Sequence, residues 1–243
     1  MCPNAMIKSF PAHTKGLPML YLLDSANLQE IETAYSFFPM AGVTTNPTLI
    51  AKEKRDFFAL LRDIRACIGE TAMLHAQVLG DSAEEMLQDA YALQEKIGGN
   101  VYIKVPVTAQ GYRAMKLLKQ KGFQLTATAI FTPAQALLAA TCGADYTAPY
   151  VNRIDTISGN GVSVVATIAQ LFEQNAVATK ILAASFKNVQ QIHEVTLAGS
   201  QAVTLPADLL WKLSEHPLTE SGVQGFKKDW QTLYGTGKCV HNL

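Results

Sequence analysis

Residues 101–121 read VYIKVPVTAQGYRAMKLLKQK, and this stretch combines two structural periods in one segment. Val101–Val105 is a short, mostly apolar run with the length of a buried strand. Along Ala109–Lys121 the apolar residues recur at steps of three and four, which predicts an amphipathic helix. Gly122 follows directly and is a typical helix end. The stretch therefore predicts a strand followed by a helix, the unit from which parallel sheets are built.

The same alternation continues along the chain from near Met19. Short apolar runs predict eight strands, at Leu20–Leu23, Gly42–Thr45, Leu74–Val78, Val101–Val105, Gln124–Ala129, Tyr146–Tyr150, Lys180–Ala184 and Ala202–Leu205. Eight strand–helix units in about 210 residues have the number and size of a closed (β/α)₈ TIM barrel of the α/β class. A doubly wound open sheet is the alternative, but no G-x-G-x-x-G follows the first strand.

Two segments lie outside the eight predicted units. Residues 1–18 carry lysines and prolines without an apolar stretch of signal-peptide length, so we interpret them as a loose leader before a barrel at residues 19–220. Residues 221–243 hold a further helix, Ser221–Leu233, and a tail. That helix needs cover from the barrel or from a neighbouring subunit, because one face carries Phe226, Trp230 and Leu233.

Composition indicates an ordinary globular chain of 243 residues, 49% apolar and 16% charged. Basic and acidic residues both number 20, so we expect neither a nucleic-acid nor a membrane partner. No apolar run reaches the roughly 18–20 residues of a membrane span. The cysteines form no C-x-x-C pair, which favours reduced thiols in the cytoplasm over a zinc site or disulfides: Cys2, Cys67, Cys142 and Cys239.

Polar side chains collect at one end of seven of the eight predicted strands. In chain order they are Asp24; Thr44, Thr45 and Asn46; Gln77; Lys104; Thr126 and Thr128; Tyr150 and Arg153; and Ser185 and Lys187. The strands of a parallel barrel are buried on both faces, so polar residues there require a reason. Barrel enzymes build their active sites from the C-terminal ends of their strands. We therefore predict a catalytic rim at these ends.

Several of these residues also have a purely structural interpretation. Asp24-Ser25 can cap the first helix, and Asn46-Pro47 is a helix-start signal. Thr126 and Thr128 suit a strand by propensity alone. For these positions the structural and functional interpretations stay open together.

The same holds for three residues further from the predicted rim or exposed on it. Arg153 can pair with Asp155 at the surface, and Lys187 can be an ordinary exposed lysine that begins the seventh helix. His75 is expected to point toward the helical layer and to serve only packing.

Lys104 differs from all of them. It stands between Ile103 and Val105 in VYIKVP, and burying its ammonium unpaired costs several kcal/mol. The structural alternative is a lysine that reaches the rim or pairs with Asp24. The functional interpretation is an amine whose pKa falls in the dry interior, because a Schiff-base nucleophile must be neutral to attack a carbonyl.

Five segments carry a resemblance to a known family: LYLLDSAN at Leu20–Asn27, AGVTTNP at Ala41–Pro47, VYIKVPVT at Val101–Thr108, APYVNRID at Ala148–Asp155 and LAASFK at Leu182–Lys187. They resemble the small transaldolase family, most of all its bacterial fructose-6-phosphate aldolases, from about Met19 to Tyr234. The resemblance implies a (β/α)₈ barrel and ring-like homo-oligomers, up to decamers, with the terminal helix reaching a neighbour.

The resemblance also implies a role for each rim residue. Lys104 would form the Schiff base, while Asp24 and Asn46 orient the hydroxyls of the bound donor and Thr44 lines the same pocket. The phosphate of the sugar-phosphate partner would be held by Arg153, Ser185 and Lys187.

Two positions bear on which branch of the family the chain resembles. Transaldolase-type members carry Glu on strand three and Phe on strand six, whereas this chain has Gln77 and Tyr150, as the aldolases do. Together with Thr128, the amide and phenol would fix a water that shuttles protons. The chain departs from the expected pattern at His75, Leu79 and Phe131-Thr132, and in its leader.

The function implied is a class I aldolase that reversibly cleaves fructose 6-phosphate to dihydroxyacetone and glyceraldehyde 3-phosphate, without a cofactor or metal because the iminium is the electron sink. The main alternative is a transaldolase that transfers dihydroxyacetone between sugar phosphates. A non-catalytic sugar-phosphate-binding barrel is a further alternative. A metal-dependent aldolase is disfavoured because no His/His/Glu cluster occurs at the predicted rim.

Overall fold

The computed structural model describes residues 19–243, so the predicted leader at residues 1–18 lies outside the described residues. Within them, eight parallel strands close into a barrel in sequence order, and the last pairs with the first. The strands are β1 (Leu20–Asp24), β2 (Gly42–Thr44), β3 (Met73–Gln77), β4 (Val101–Pro106), β5 (Gln124–Ile130), β6 (Tyr146–Pro149), β7 (Lys180–Ala183) and β8 (Ala202–Leu205). The predicted (β/α)₈ barrel is confirmed, and the doubly wound alternative is wrong.

Helices alternate with the strands and surround the barrel. They are α1 (Leu28–Phe37), α2 (Pro47–Glu53), α3 (Phe57–Ile68), α4 (Ala83–Ile97), α5 (Ala109–Gln120), α6 (Pro133–Thr141), α7 (Val151–Asp155), α8 (Gly161–Gln174), α9 (Val189–Leu197), α10 (Ala207–Ser214) and α11 (Pro217–Tyr234), followed by a 3₁₀ turn at Val240–Asn242. No helix in residues 19–243 has the length and apolar character that crossing a membrane requires.

Local sequence explains where these helices begin and end. Ser82 caps α4 through a reciprocal capping box with Glu85, which satisfies backbone N–H groups of the first turn that have no partner inside the helix. Gly98 ends α4 with a φ of 68°, a backbone conformation that glycine adopts without a steric penalty. The terminal helix begins at Pro217, four residues before the predicted start, because Pro occupies its first turn and His216 caps it.

Alternation along each strand sorts side chains between two cores. Residues such as Ile103 and Val105 face outward and pack in the layer between strands and helices. The alternate residues face the barrel interior, where Leu22, Met73, Tyr146, Leu182 and Ala202 form a second, smaller cluster. Lys104 lies between Ile103 and Val105, so its side chain points into the barrel.

The prediction that His75 points toward the helical layer is wrong. His75 lies two residues before Gln77 and therefore shares its inward direction. Its ring stacks on that of Tyr102 with centroids 4.7 Å apart and meets the Tyr146 ring edge-on at 5.8 Å. The side chain is completely buried inside the barrel.

Candidate active site

Lys104 lies inside the barrel near the C-terminal end of β4, with 6% of its surface exposed. Its Nζ donates a hydrogen bond to the backbone carbonyl of Thr45, directly after β2, over 2.7 Å. Because β3 lies between β2 and β4, the lysine side chain must cross the inner face of β3 to reach that carbonyl. Among the described residues, no carboxylate lies within ion-pair distance of the ammonium.

Burial sets the protonation of this amine. Loss of solvent in the barrel lowers the pKa of Lys104, and the attraction of the Asp24 carboxylate opposes that decrease only in part. The balance favours a neutral amine at a lower pH than for a lysine in water. A neutral amine is the form that attacks carbonyl carbon.

A hydrogen-bonded cluster joins the ends of three strands on one side of the rim. Thr44 on β2 donates to Asp24 Oδ1 on β1 over 2.7 Å, and Thr44 Oγ1 lies 2.6 Å from Thr204 Oγ1 on β8. Since the single Thr44 proton points at Asp24, Thr204 is the donor to Thr44. The cluster fixes one carboxylate oxygen of Asp24 and leaves its remaining acceptor capacity toward the rim.

The predicted rim omitted Thr204, which supplies the eighth strand's contribution. Its inward position in AVTL follows from alternation once the phase of β8 is known, but threonine suits a strand by propensity and therefore gives no separate sign of a site. The structural alternative for Asp24-Ser25 is wrong, because Asn27 caps α1 instead. Asp24 is therefore not occupied by the helix start.

Asn46 does have the structural role that its sequence suggested. It caps α2, and its side-chain oxygen accepts from the backbone N–H of Leu49 over 3.0 Å. That bond uses the oxygen but leaves the amide NH₂ as a donor. The cap holds the side chain still at the end of β2, next to the carbonyl of Thr45 that receives Lys104.

A second cluster occupies the other side of β4. Thr128 Oγ1 on β5 lies 3.0 Å from the hydroxyl of Tyr150, which directly follows β6. The register between β5 and β6 shifts after Ala127, and Ala129 has a φ of 59°. This irregularity bends β5 directly after Thr128, at the point where the strand reaches the rim. Gln77 on β3 stands in register with Lys104.

Arg153 belongs to this second cluster. Its guanidinium lies over the Tyr150 ring, 4.7 Å from the centroid, on the short helix α7. The predicted surface ion pair of Arg153 with Asp155 is wrong. The Asp155 carboxylate instead accepts hydrogen bonds from Gly161 N over 2.7 Å and from Gln191 Nε2 over 2.6 Å. Arg153 makes no ion pair within the described part of the chain, so its charge is available to an anion.

Ser185 and Lys187 follow β7 beside α7. Ser185 has a φ of 62°, a left-handed conformation that costs a non-glycine residue about 1–2 kcal/mol, and its carbonyl accepts from Asn152 N over 2.7 Å. Lys187 donates its backbone N–H to Gln191. In residues 19–243 the Lys187 ammonium contacts none of the other predicted site residues through a hydrogen bond or ion pair.

A separate cavity of about 440 Å³ opens near the N-terminal ends of the strands, lined in part by Tyr102, Tyr146 and Lys180. Lys119 at its wall is paired with Asp145 over 2.6 Å, so that charge is already neutralised. We place the site at the opposite rim, where the buried amine and both polar clusters lie. Within residues 19–243, histidine, cysteine and carboxylate side chains nowhere gather in a group of three that could hold a metal ion.

Comparison with known protein families gives a match over most of the chain. Residues 21–237 match the sequence model described as transaldolase/fructose-6-phosphate aldolase. The matched region contains every strand of the barrel except the first residue of β1, and it contains both rim clusters and Lys104.

Proposed function

This chain belongs to the transaldolase/fructose-6-phosphate aldolase family, and on that premise we propose that it is a class I aldolase with Lys104 as its Schiff-base nucleophile. The proposed reaction is reversible cleavage of fructose 6-phosphate to dihydroxyacetone and glyceraldehyde 3-phosphate. Family membership itself indicates a transferase or lyase that acts on sugar phosphates. The observation that carries the finer assignment is the buried, desolvated amine of Lys104 at the barrel rim.

In the direction of synthesis, neutral Lys104 attacks the ketone carbon of dihydroxyacetone, and loss of water gives an iminium. A proton leaves the α-carbon to give an enamine, which forms a carbon–carbon bond with the aldehyde carbon of glyceraldehyde 3-phosphate. The resulting alkoxide takes up a proton. Water then hydrolyses the iminium, which releases fructose 6-phosphate and restores the amine. The iminium is the electron sink, so these steps call for no metal or cofactor.

Binding of the donor is assigned to the cluster around Asp24. Its carboxylate, held by Thr44, would accept hydrogen bonds from donor hydroxyls, and the free amide group of Asn46 would donate to them. Both residues lie at the ends of β1 and β2, beside the Thr45 carbonyl where the amine rests. To attack the ketone, Nζ must break its hydrogen bond to that carbonyl. Contacts with the bound dihydroxyacetone would then replace this hydrogen bond.

Proton transfer is assigned to Tyr150, Thr128 and Gln77. The 3.0 Å contact between the Tyr150 and Thr128 hydroxyls fixes the phenol near β4, and Gln77 is in register with Lys104. Three such groups would hold one water that carries protons to and from the α-carbon. This arrangement favours the aldolase over the transaldolase, since a positioned water also hydrolyses the intermediate and releases free dihydroxyacetone.

Recognition of the phosphate is assigned to Arg153, with Ser185 and Lys187. The guanidinium is unpaired with any described carboxylate and is oriented by the Tyr150 ring, and guanidinium groups bind phosphate through two parallel hydrogen bonds. The strained backbone of Ser185 presents its hydroxyl after β7. This assignment would put the phosphate across the rim from the donor hydroxyls.

Assembly into homo-oligomers is proposed through α11. No residue of this helix is buried in the described chain, and its apolar side chains Leu218, Phe226 and Leu233 are each about three-quarters exposed. An apolar helix surface of this kind indicates a protein contact. The ring-like homo-oligomers of the family would supply one, with α11 against a neighbouring subunit.

The decisive experiment is borohydride reduction in the presence of dihydroxyacetone. The unmutated protein should lose activity and gain the mass of the reduced adduct on Lys104, located by peptide mapping. Lys104→Arg should neither trap nor turn over, while Lys180→Arg, at the opposite end of the barrel, should trap normally. Label on another lysine, with Lys104 unmodified, would overturn the mechanism. Assaying free dihydroxyacetone against transfer to erythrose 4-phosphate separates the aldolase from the transaldolase.

A further inference from the structure

A side-chain hydrogen bond crosses the inner face of β4 directly on the N-terminal side of Lys104. His75 Nδ1 on β3 lies 2.8 Å from Thr126 Oγ1 on β5. β3 and β5 are the two neighbours of β4, and Thr126 stands in register with Lys104. His75 is one inward position below Gln77, the other residue in register with Lys104. The bond therefore spans the strand beneath the start of the lysine side chain.

The same histidine is also tied to the group that receives the amine. Thr45 donates both its backbone N–H, over 2.9 Å, and its hydroxyl, over 3.0 Å, to the carbonyl of His75. The Thr45 carbonyl in turn accepts from Lys104 Nζ. To reach it, the lysine side chain crosses β3, whose inward residues there are His75 and Gln77. His75 thus contacts Thr126, which is in register with Lys104, and Thr45, whose carbonyl receives the amine.

The imidazole is kept without charge in this place. Complete burial, and then the nearby Lys104, hold the pKa of His75 well below its ordinary value. The titratable groups that face it and the lysine are Asp24 from β1, Tyr102 from β4 and Tyr146 from β6. His75 Nε2 has no hydrogen-bond partner among the described residues. A buried polar atom left unpaired costs about 1–3 kcal/mol, so packing alone does not favour histidine here.

We propose that the His75–Thr126 pair is a positioning device that holds the Lys104 side chain extended across β3 to the Thr45 carbonyl, in the dry part of the barrel. The inference rests on the proposed Schiff-base function of Lys104. Without the pair, the side chain is free to leave the Thr45 carbonyl for the wetter end of the barrel, where hydration stabilises the ammonium. Less neutral amine is then present at a given pH. His75 acts only through Lys104 and does not touch the reacting atoms.

Two variants of equal size separate hydrogen bonding from packing. His75→Asn keeps a polar atom near the place of Nδ1 and can still bond Thr126, whereas His75→Leu fills similar space without it. The measurement is the rate at which borohydride traps the dihydroxyacetone adduct between pH 6 and pH 10. We expect His75→Leu to move the half-maximal pH upward by about one unit, and to slow trapping at pH 7 about tenfold. His75→Asn should stay within about twofold of the unmutated protein, and KM for the aldehyde should change in neither.

A second pair of variants tests the other partner and does not alter the ring. Thr126→Val removes the hydroxyl that His75 contacts, and should shift the trapping profile in the same direction. Thr147→Val is its control: Thr147 is a buried strand threonine with no partner for its hydroxyl among the described residues, in register with the outward-facing Ala127 and Ile181. It should leave the profile unmoved.

Three results would overturn the proposal. They are equal behaviour of His75→Asn and His75→Leu, an unshifted profile in Thr126→Val, and an equal shift in Thr147→Val. If the His75 variants do not fold, the two threonine variants decide alone. Failure of the proposed function is a different result, since the unmutated protein would then show no adduct on Lys104 at any pH.

Discussion

Replacement of Lys104 by methionine should abolish Schiff-base chemistry and make the protein more stable near pH 6. Methionine is unbranched and of similar length, so it can follow the same path across β3 without a charge. Lys104 is buried and desolvation lowers its pKa, which means that the folded chain holds this proton less tightly than the unfolded chain. The lysine therefore carries a stability penalty that the methionine lacks.

Proton linkage gives the sign and the pH window. Below the lowered pKa of the folded state, the ammonium is present in both states and the folded chain bears its full burial penalty. Between the folded and unfolded pKa values the unfolded chain binds more protons, so the free energy of unfolding of the unmutated protein rises with pH. Above the unfolded pKa the penalty is gone. Each unit by which the folded pKa is lowered corresponds to about 1.4 kcal/mol at the acid side of this window.

Loss of the bond from Nζ to the Thr45 carbonyl works in the opposite direction, by about 1 kcal/mol. We therefore expect Lys104→Met to be the more stable protein at pH 6. As the pH approaches 10 the sign should reverse and leave it less stable by about the 1 kcal/mol of the lost hydrogen bond. Burial raises the pKa of Tyr35 and Tyr146 to about 12, but these groups titrate alike in both proteins and cancel in the difference.

Urea unfolding of both proteins at pH 6, 8 and 9.5 measures this difference directly. Lys180→Met is the matched control, because Lys180 begins β7 at the partly exposed opposite end, and its difference from the unmutated protein should be small and flat with pH. A difference for Lys104→Met that does not change with pH would refute the reasoning, as would a methionine variant that is less stable at pH 6. Either result would mean that the buried amine carries no protonation penalty.

Three further predictions concern the rim and the terminal helix. Tyr150→Phe, which keeps the ring beneath Arg153, should slow release of free dihydroxyacetone relative to transfer by roughly ten- to thousandfold; an unchanged ratio of the two assayed rates would remove the phenol from the proton relay. Arg153→Ala should raise KM for phosphorylated aldehydes by the equivalent of about 2–3 kcal/mol of binding free energy and leave KM for unphosphorylated glyceraldehyde unchanged. Equal increases in KM for both aldehydes would make Arg153 a structural residue. Truncation before Pro217 should reduce the assembly size on a sizing column, and an elution volume explained by the lost mass alone would contradict a role of α11 between subunits.

The barrel could be predicted from the sequence because its signals are local. The run VYIKVP followed by a three- and four-residue period identifies a strand and a helix without any knowledge of partners. The observed ends of strands and helices differ from the predicted ends where residues next to the element determine them. β2 ends at Thr44, one residue before the predicted end, because Asn46 caps α2 two residues later and the chain enters that helix. The terminal helix begins early because Pro217 supplies a start that the apolar period did not include.

The position of the rim follows from two features of the sequence: side chains alternate between the two faces of each strand, and the strands run parallel. Most of the predicted residues therefore lie at the C-terminal strand ends, as expected. What sequence could not provide is which side chains bond to one another. Thr204 was overlooked because a lone threonine in a strand carries no signal until its Thr44 partner is known. Arg153 and Asp155 are two residues apart and of opposite charge, yet Gln191 from α9 and the N–H of Gly161 occupy the carboxylate. These outcomes depend on contacts between residues distant in sequence.

The two rim clusters explain how one lysine can serve both the dry and the wet steps of the proposed reaction. Thr44 and Asp24 lie on the side of the barrel where Nζ rests at the Thr45 carbonyl, and this side requires a neutral amine shielded from water. Thr128 and Tyr150 lie on the other side of β4, where a positioned water is needed for proton transfer and hydrolysis. An amine surrounded by water would be protonated, and an intermediate without water would not be hydrolysed. In the proposed reaction, the position of β4 between the clusters would let Lys104 reach both by rotating its own side chain.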